Sequence, residues 1–429
     1  MRLVTFASSL RHGGTRPTTR RFWFGQSLEP QEARKSKRGQ AVRRPKNMMR
    51  SRATFRGCST CARVFRNLIP ILELTCVGLV SGGVPTMVRA GAATYTTFAV
   101  PGAGTGDFLG TVPISIAPNG TVAGFMRDTA AVRHGFVRDA RGTITVFDAP
   151  NAGTGAGQGT HGYSITPDGT ISGWYFDEFF VAHALVRTPE GIITVVDIPG
   201  AGSSAGSGQG TYSQWPAITP SGVITGYLLD ENFVNHGFLR ALGGEFTVFD
   251  VPAASDAGGG TQAMAISTAG VITGNYFDAN FIGHGFIRSK QGTITTFDVQ
   301  GAANGTFPLA INPSGAITGN YFDGTGTSHC FLRAPGGKVT TIDAPPYATA
   351  GSTCLSAYIT PDGTVAANYV DGTTGNEHAF LRDSKGAVTN IDVPEGVNGT
   401  AVSSIGVNGV VVGNYADSTL TVIGFIRTP

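Results

Sequence analysis

The last four-fifths of the chain is an internal repeat, seven copies long, with a period of about 47 residues. One copy, residues 263–298, reads AMAISTAGVITGNYFDANFIGHGFIRSKQGTITTFD. An arginine closing the same motif recurs as Arg138, Arg187, Arg240, Arg288, Arg333, Arg382 and Arg427. A repeat of that period containing only short strand patterns belongs to a propeller or a related array, because one unit cannot bury its own apolar face and must stack on the next.

The fourth copy shows how a unit becomes a blade. Met264–Ser267 is a short apolar strand, and Thr268-Ala-Gly270 is a turn. Residues 271–276 form a second strand, with Gly274 where a backbone or a large ring comes close. Residues 284–288 form a third strand, and residues 293–297, after the turn at Gly292, a fourth. Four strands joined by hairpin turns make one propeller blade. The first turn repeats its chemistry as Pro118-Asn-Gly120, Pro167-Asp-Gly169, Pro220-Ser-Gly222, Pro313-Ser-Gly315 and Pro361-Asp-Gly363, the residues such turns require. The array opens at Thr94-Tyr-Thr-Thr-Phe98, a fourth-strand sequence without its first three strands, and ends just past Arg427, after a third strand. The expectation is an all-β, seven-bladed propeller of four-stranded blades, its ring closed by the N-terminal strand completing the last blade. Closure of that kind removes exposed sheet edges.

Three polar positions recur within the units. A carboxylate ends the second strand (Asp128, Asp177, Asp230, Asp278, Asp323, Asp371 and Asp417). A histidine starts the third (His134, His183, His236, His284, His329 and His378). A second carboxylate ends the fourth (Asp148, Asp197, Asp250, Asp298, Asp343 and Asp392). Hairpin register, counted outward from the turns, places His134, His183 and His284 each between its two carboxylates, and the same grouping is expected around His236, His329 and His378. The last unit has Ile423 for the histidine, and the orphan strand has Ala99 for the second carboxylate, so both losses fall in one expected blade. A group repeated six times around a ring reads as scaffold, an imidazole hydrogen-bonded to two carboxylates tying three strands together. The repeated arginines read as stems packed on aromatic rings or paired with Asp.

The connections differ more than the strands do. Those between the second and third strands and those between units emerge on one face, which carries Glu178, Phe179, Phe180, Glu231, Phe233 and Phe281, with His161 in a neighbouring loop. Rings beside acids suit a carbohydrate or peptide ligand, and these residues form the candidate ligand face. The Gly-rich stretches 153–161 and 202–212 lack the Lys-Ser/Thr ending of a phosphate loop and lead into no helix, which argues against nucleotide binding. No cofactor is expected. Ca²⁺ at the Asp-x-Asn pieces is the alternative, although no spaced ligand set accompanies them.

Charge divides the chain. Residues 1–92 hold 18 Lys and Arg against Glu29, Glu32 and Glu73, whereas residues 93–429 hold the other 13 bases against 25 acids. Residues 1–47 read as a basic arm or as sequence upstream of the true start. Residues 48–92 combine a basic flank, an apolar run over 68–84 and the small-residue end Ala90-Gly-Ala92, the pattern of a secretory signal peptide and too short for a stable membrane span. The acidic body and the lack of interleaved aromatics in the arm argue against nucleic acid. Of five cysteines, only Cys330 and Cys354 lie in the repeats, as a bridge between neighbouring blades or as two isolated thiols.

The triplets His134-Gly-Phe136, His284-Gly-Phe286 and His378-Ala-Phe380, and the pattern running from Ile311-Asn-Pro-Ser-Gly315 to Arg333, resemble the repeats of the extracellular HAF-repeat family. His183-Ala-Leu185, His329-Cys-Phe331 and Ile423-Gly-Phe425 depart from it. The resemblance implies a secreted or cell-surface bacterial propeller and supplies no site residues, since the family has no defined activity. The expected function is a non-catalytic binding or scaffold module, monomeric, whose partner is an extracellular polysaccharide or surface protein. The alternative is a polysaccharide lyase or glycosidase, for which the non-repeated acids Glu178, Glu231 and Glu377 are the starting point.

Overall fold

A computed structural model describes residues 93–429 apart from 215, 216, 258, 344, 346 and 347. The basic arm and the leader lie outside the described residues. Every regular element among the described residues is a β-strand, and none of them is a helix able to cross a membrane.

Each repeat runs as an antiparallel meander. In the fourth unit, strand Gly260–Ile266 pairs with Ile272–Phe277, which pairs with Gly283–Arg288, which pairs with Ile294–Phe297. The first strand is longer than the sequence reading, starting at Gly260 rather than Met264, because a bulge between Ala263 and Ala265 lets it continue past the break in alternation. Gly274 lies under the partner backbone there, where a Cβ would sit 2.0 Å from the Gln262 carbonyl oxygen.

Successive units join through one repeated device. The first strand of a unit touches the third strand of the unit before it in a short parallel contact, as in Arg133↔Gly159, Ala182↔Gly210 and Asn235↔Gly260. Gly159 has φ 98°, and a Cβ on it would lie 2.0 Å from the Arg133 carbonyl oxygen, so only glycine fits. The next residue, Thr160, is buried, and its Oγ1 accepts the Ala149 N–H at 2.9 Å. Thr111, Thr211, Thr261, Thr306 and Thr400 accept an amide from the preceding connection in the same way. The recurring Gly-Thr dipeptide is therefore the joint between units, and Thr306 and Thr400 of two Asn-Gly-Thr triplets belong to it.

The N-terminal strand Thr94–Phe98 pairs antiparallel with the C-terminal strand Val422–Thr428, and Gly110 of the first unit makes the parallel contact with Val422. The core lies between units. Val100, Val122, Phe136 and Val412 pack in one cluster although they come from opposite ends of the array. Phe136, Phe238, Phe286, Phe331, Phe380 and Phe425 are fully buried at one repeated position, each worth about 1.5–3 kcal/mol.

The residue after each histidine obeys a volume rule. Gly135, Gly237 and Gly285 lie under Phe147, Phe249 and Phe297 of their own fourth strands, and Gly424 lies opposite Phe98. A Cβ on Gly135 would be 2.5 Å from the Phe147 ring. Where the fourth strand carries a smaller residue, the glycine is filled in: Ala184 opposite Val196, Cys330 opposite Ile342, and Ala379 bonded to Ile391. Departures such as His-Ala-Leu and His-Cys-Phe are compensated changes of volume. Each phenylalanine also supports the next unit, for Arg138, Arg187, Arg288 and Arg333 lie 4.7–5.0 Å above Phe98, Phe147, Phe249 and Phe297.

Cys330 and Cys354 form a disulfide, Cα–Cα 5.4 Å, that links the third strand of one unit to the first strand of the next.

Candidate functional site

The histidines stand where hairpin register places them. His134 Nδ1 lies 2.9 Å from the Asp148 carboxylate, and its Nε2 lies 3.6 Å from Asp128. The same arrangement joins His183 to Asp197 and Asp177, His236 to Asp250 and Asp230, His284 to Asp298 and Asp278, and His329 to Asp343 and Asp323. The hydrogen bond that His183 donates to the Asp197 carboxylate holds the His183 pKa above its ordinary value. The other oxygen of each second-strand carboxylate is engaged locally. Asp128 Oδ1 accepts the amides of Ala130 and Val132, and Asp177, Asp230, Asp278, Asp323 and Asp417 close the same turn.

The sixth unit departs from this plan. His378 Nδ1 lies 2.8 Å from Asp392, but Asp371 turns away to accept from Thr349 Oγ1 at 2.7 Å. The cause is local: this turn is one residue longer, closing from Asp371 to Asn376 where the first closes from Asp128 to Val132. The expected Asp–His–Asp grouping is not assembled there.

His161 corrects the sequence reading more sharply. It is neither in a loop nor on an exposed face. It lies in strand Gly159–Ile165, 4% exposed, with Phe125 at 4.5 Å and Trp174 stacked at 4.3 Å between ring centroids. Neither ring nitrogen has a hydrogen-bond partner among the described residues. Burial, reinforced by Arg133 and Arg127, holds its pKa well below the usual histidine value, so the imidazole is neutral. From it an arc of rings runs through the first three units. Trp174 meets Tyr212 at 5.2 Å and Phe176 at 4.8 Å, Tyr212 stacks on Tyr227 at 5.1 Å, and Phe176 leads out to Phe180 at 5.6 Å. Sequence reasoning missed this arc, yet a signal was present. One second-strand position reads Phe125, Trp174 and Tyr227 in the first three units and Asn275, Asn320, Asn368 and Asn414 in the other four.

The remaining ligand-face residues stand at the turns between second and third strands. Glu178, Phe179, Phe180, Glu231, Phe233 and Phe281 are all exposed. Phe180, Phe233 and Phe281 have φ of 58°, 63° and 59°, whereas the same turn position in the fifth and sixth units is Gly326 and Gly375. A bulky side chain in the left-handed region is strained by about 1–2 kcal/mol, and the rings held there are 36–48% exposed. Glu377 starts the third strand of the sixth unit. Burial pushes its carboxyl up to about 7 and the nearby Tyr358 phenol up to about 12. A cleft of about 270 Å³ opens on the same side near the disulfide, between His329, Asp343, Thr349 and Cys354.

No family model and no curated protein matches the chain. Among solved structures it is similar to the virginiamycin B lyase from Staphylococcus aureus, a β-propeller, at 14% identity and a TM-score of 0.50, over 79% of this chain and 100% of that one. It is also similar to a prolyl endopeptidase at 14% identity and a TM-score of 0.50, over 72% of this chain and 47% of that one. At such identities the likeness is one of fold, and the array is propeller-like.

Proposed function

We propose that this protein is a secreted, seven-bladed propeller that acts as a binding module for an extracellular polysaccharide. The observation that carries the reading is the set of exposed phenylalanines held in strained backbone beside Glu178 and Glu231 on one face. Strain retained under exposed rings marks a functional surface. Closure of the ring by residues 94–98 is supported by their pairing with Val422–Thr428. Export is supported by the disulfide, which persists in oxidising compartments, and by the resemblance to extracellular HAF repeats. The Asp–His groups act as scaffold in this reading, since they recur around the array while the rings stand at the turns of only three units. Ca²⁺ has no assigned role, because the turn carboxylates are engaged by backbone amides and histidines.

The test is thermal unfolding of the purified protein against a panel of polysaccharides, each with Ca²⁺ and with chelator. A ligand that binds only the folded state raises the midpoint by mass action. A rise with one glycan, independent of Ca²⁺, is expected. No rise with any glycan, together with capture of a surface protein, would replace the glycan by a protein partner.

A second reading, a lyase or glycosidase, is favoured by one observation: a carboxyl poised near neutrality at Glu377 beside Tyr358 suits general acid–base work. Cleavage of the bound glycan that disappears in Glu377→Gln would establish it.

A further inference from the structure

The strand topology sorts the charges of the array onto two faces. The lower face, formed by the turns inside each pair of hairpins, carries the seven repeated arginines together with Arg141, Lys290, Lys338 and Lys385. Its acids are Asp139, Asp168, Glu190, Glu245, Asp362 and Asp383. The other 19 of the 25 acids in residues 93–429 stand on the upper face, the face of the exposed phenylalanines. Arg127 and Arg133 are the bases there, and they reach inward, donating to the carbonyls of Phe108 and Gly157. Overall net charge hides this, because a formal +3 for the whole chain averages the basic leader with both faces.

Resting on the reading of the protein as a glycan-binding module, we propose that the upper face of the second to fourth units binds a cationic amino-sugar polymer, a chain of 2-amino-2-deoxypyranose units with free amines. Three features of the surface select that chemistry. Phe180, Phe233 and Phe281 repeat at the pitch of the units and offer flat apolar area for the axial C–H face of a pyranose. Glu178 and Glu231 stand beside two of those rings, exposed and outside the Asp–His groups, so a protonated amine meets a carboxylate and a ring face together. The excess of carboxylates repels uronate- or sulfate-bearing chains and draws a polycation in by long-range attraction. The ring-and-acid pattern, repeated in the second and third units with a further ring in the fourth, suits a polymer whose every residue presents the same apolar face and the same charge.

The test is titration of the full-length protein with a fully deacetylated glucosamine oligomer and with its N-acetylated counterpart at about pH 6. The free-amine oligomer is expected to bind at least tenfold more tightly, and about tenfold more weakly once salt is raised enough to shorten the screening length several-fold. Phe180→Gly combined with Phe233→Gly is expected to weaken both oligomers about tenfold. Glu178→Gln combined with Glu231→Gln is expected to weaken only the free-amine form, and Lys290→Gln on the lower face to change neither. Equal binding of the two oligomers, insensitive to salt, would overturn the cationic inference and leave the glycan-binding module standing. Binding of poly-lysine without any glycan would overturn the amino sugar in favour of a basic protein. Binding of neither oligomer, while another polysaccharide raises the melting midpoint, would also overturn it. No polysaccharide binding at all would remove the module reading as well.

Discussion

The strand interior and the upper rim of the units treat repetition in opposite ways. In the interior the units satisfy one steric rule with different residues. Gly135 with Phe147 and Ala184 with Val196 fill the same space, and the Gly-Thr joint recurs with hardly a change. At the rim most units keep the same turn while its side chains differ. Three units place phenylalanine where two others place the glycine the backbone prefers. Volume must be conserved where neighbours interlock, so interior changes come in compensating pairs. A surface turn has no such constraint, so a strained, exposed ring there is a departure that stability does not explain.

Four changes test that contrast. Removing residues 93–100 should have the largest effect. It strips the C-terminal strand of one of its two antiparallel partners, takes Phe98 from under Arg138 and removes the buried Val100, a loss of order 5 kcal/mol. Urea unfolding measures it, and a truncated chain that unfolds at the parent's midpoint would refute ring closure. Gly135→Ala comes next. Its Cβ overlaps the Phe147 ring and should destabilise by about 1–3 kcal/mol. Adding Phe147→Val, the pairing of the second unit, should recover part of that, and strictly additive effects in the double-mutant cycle would show that the volume rule has no energetic basis.

Glu377→Gln should have a smaller effect that depends on pH. The folded-state carboxyl is raised from 4.5 to about 7, so as pH rises above 4.5 the unfolded chain releases its proton first. The parent therefore loses stability between those values, and the loss levels off above the higher one. Melting midpoints of parent and variant should coincide at about pH 4 and separate in favour of the variant by about pH 8. Coincidence at both would mean that the carboxyl is not desolvated. Phe233→Gly should move stability least, by under about 1 kcal/mol, because relief of the left-handed strain offsets the lost ring contacts and the entropy of glycine. A loss above about 2 kcal/mol would make that ring a packing residue and draw the rim back into the interior's logic.

Much of this was legible in the sequence because it is local. A hairpin turn sets the register of the strands it joins, so counting outward from Gly169 and Gly191 suffices to bring His183 between Asp177 and Asp197. The same counting fails at His378, because one extra residue in the 371–376 turn redirects Asp371, and only its new partner Thr349 reveals where it goes. It fails again at His161, whose Gly-rich approach reads as a loop although the residue that follows the Gly-Thr joint is already in a strand.

By itself the sequence determined an all-β repeat array, its strands and turns, and which polar residues meet within a hairpin, because each depends on periodicity over a few neighbours. The tertiary structure decided what meets between units. It put arginines over the rings of the preceding unit, made a bridge of Cys330 and Cys354, buried His161 between Phe125 and Trp174, and gathered most of the acids on one face and most of the bases on the other. Most of those contacts join residues of different units, and only the stacking of sheets, driven by burial of their apolar faces, brings such residues together.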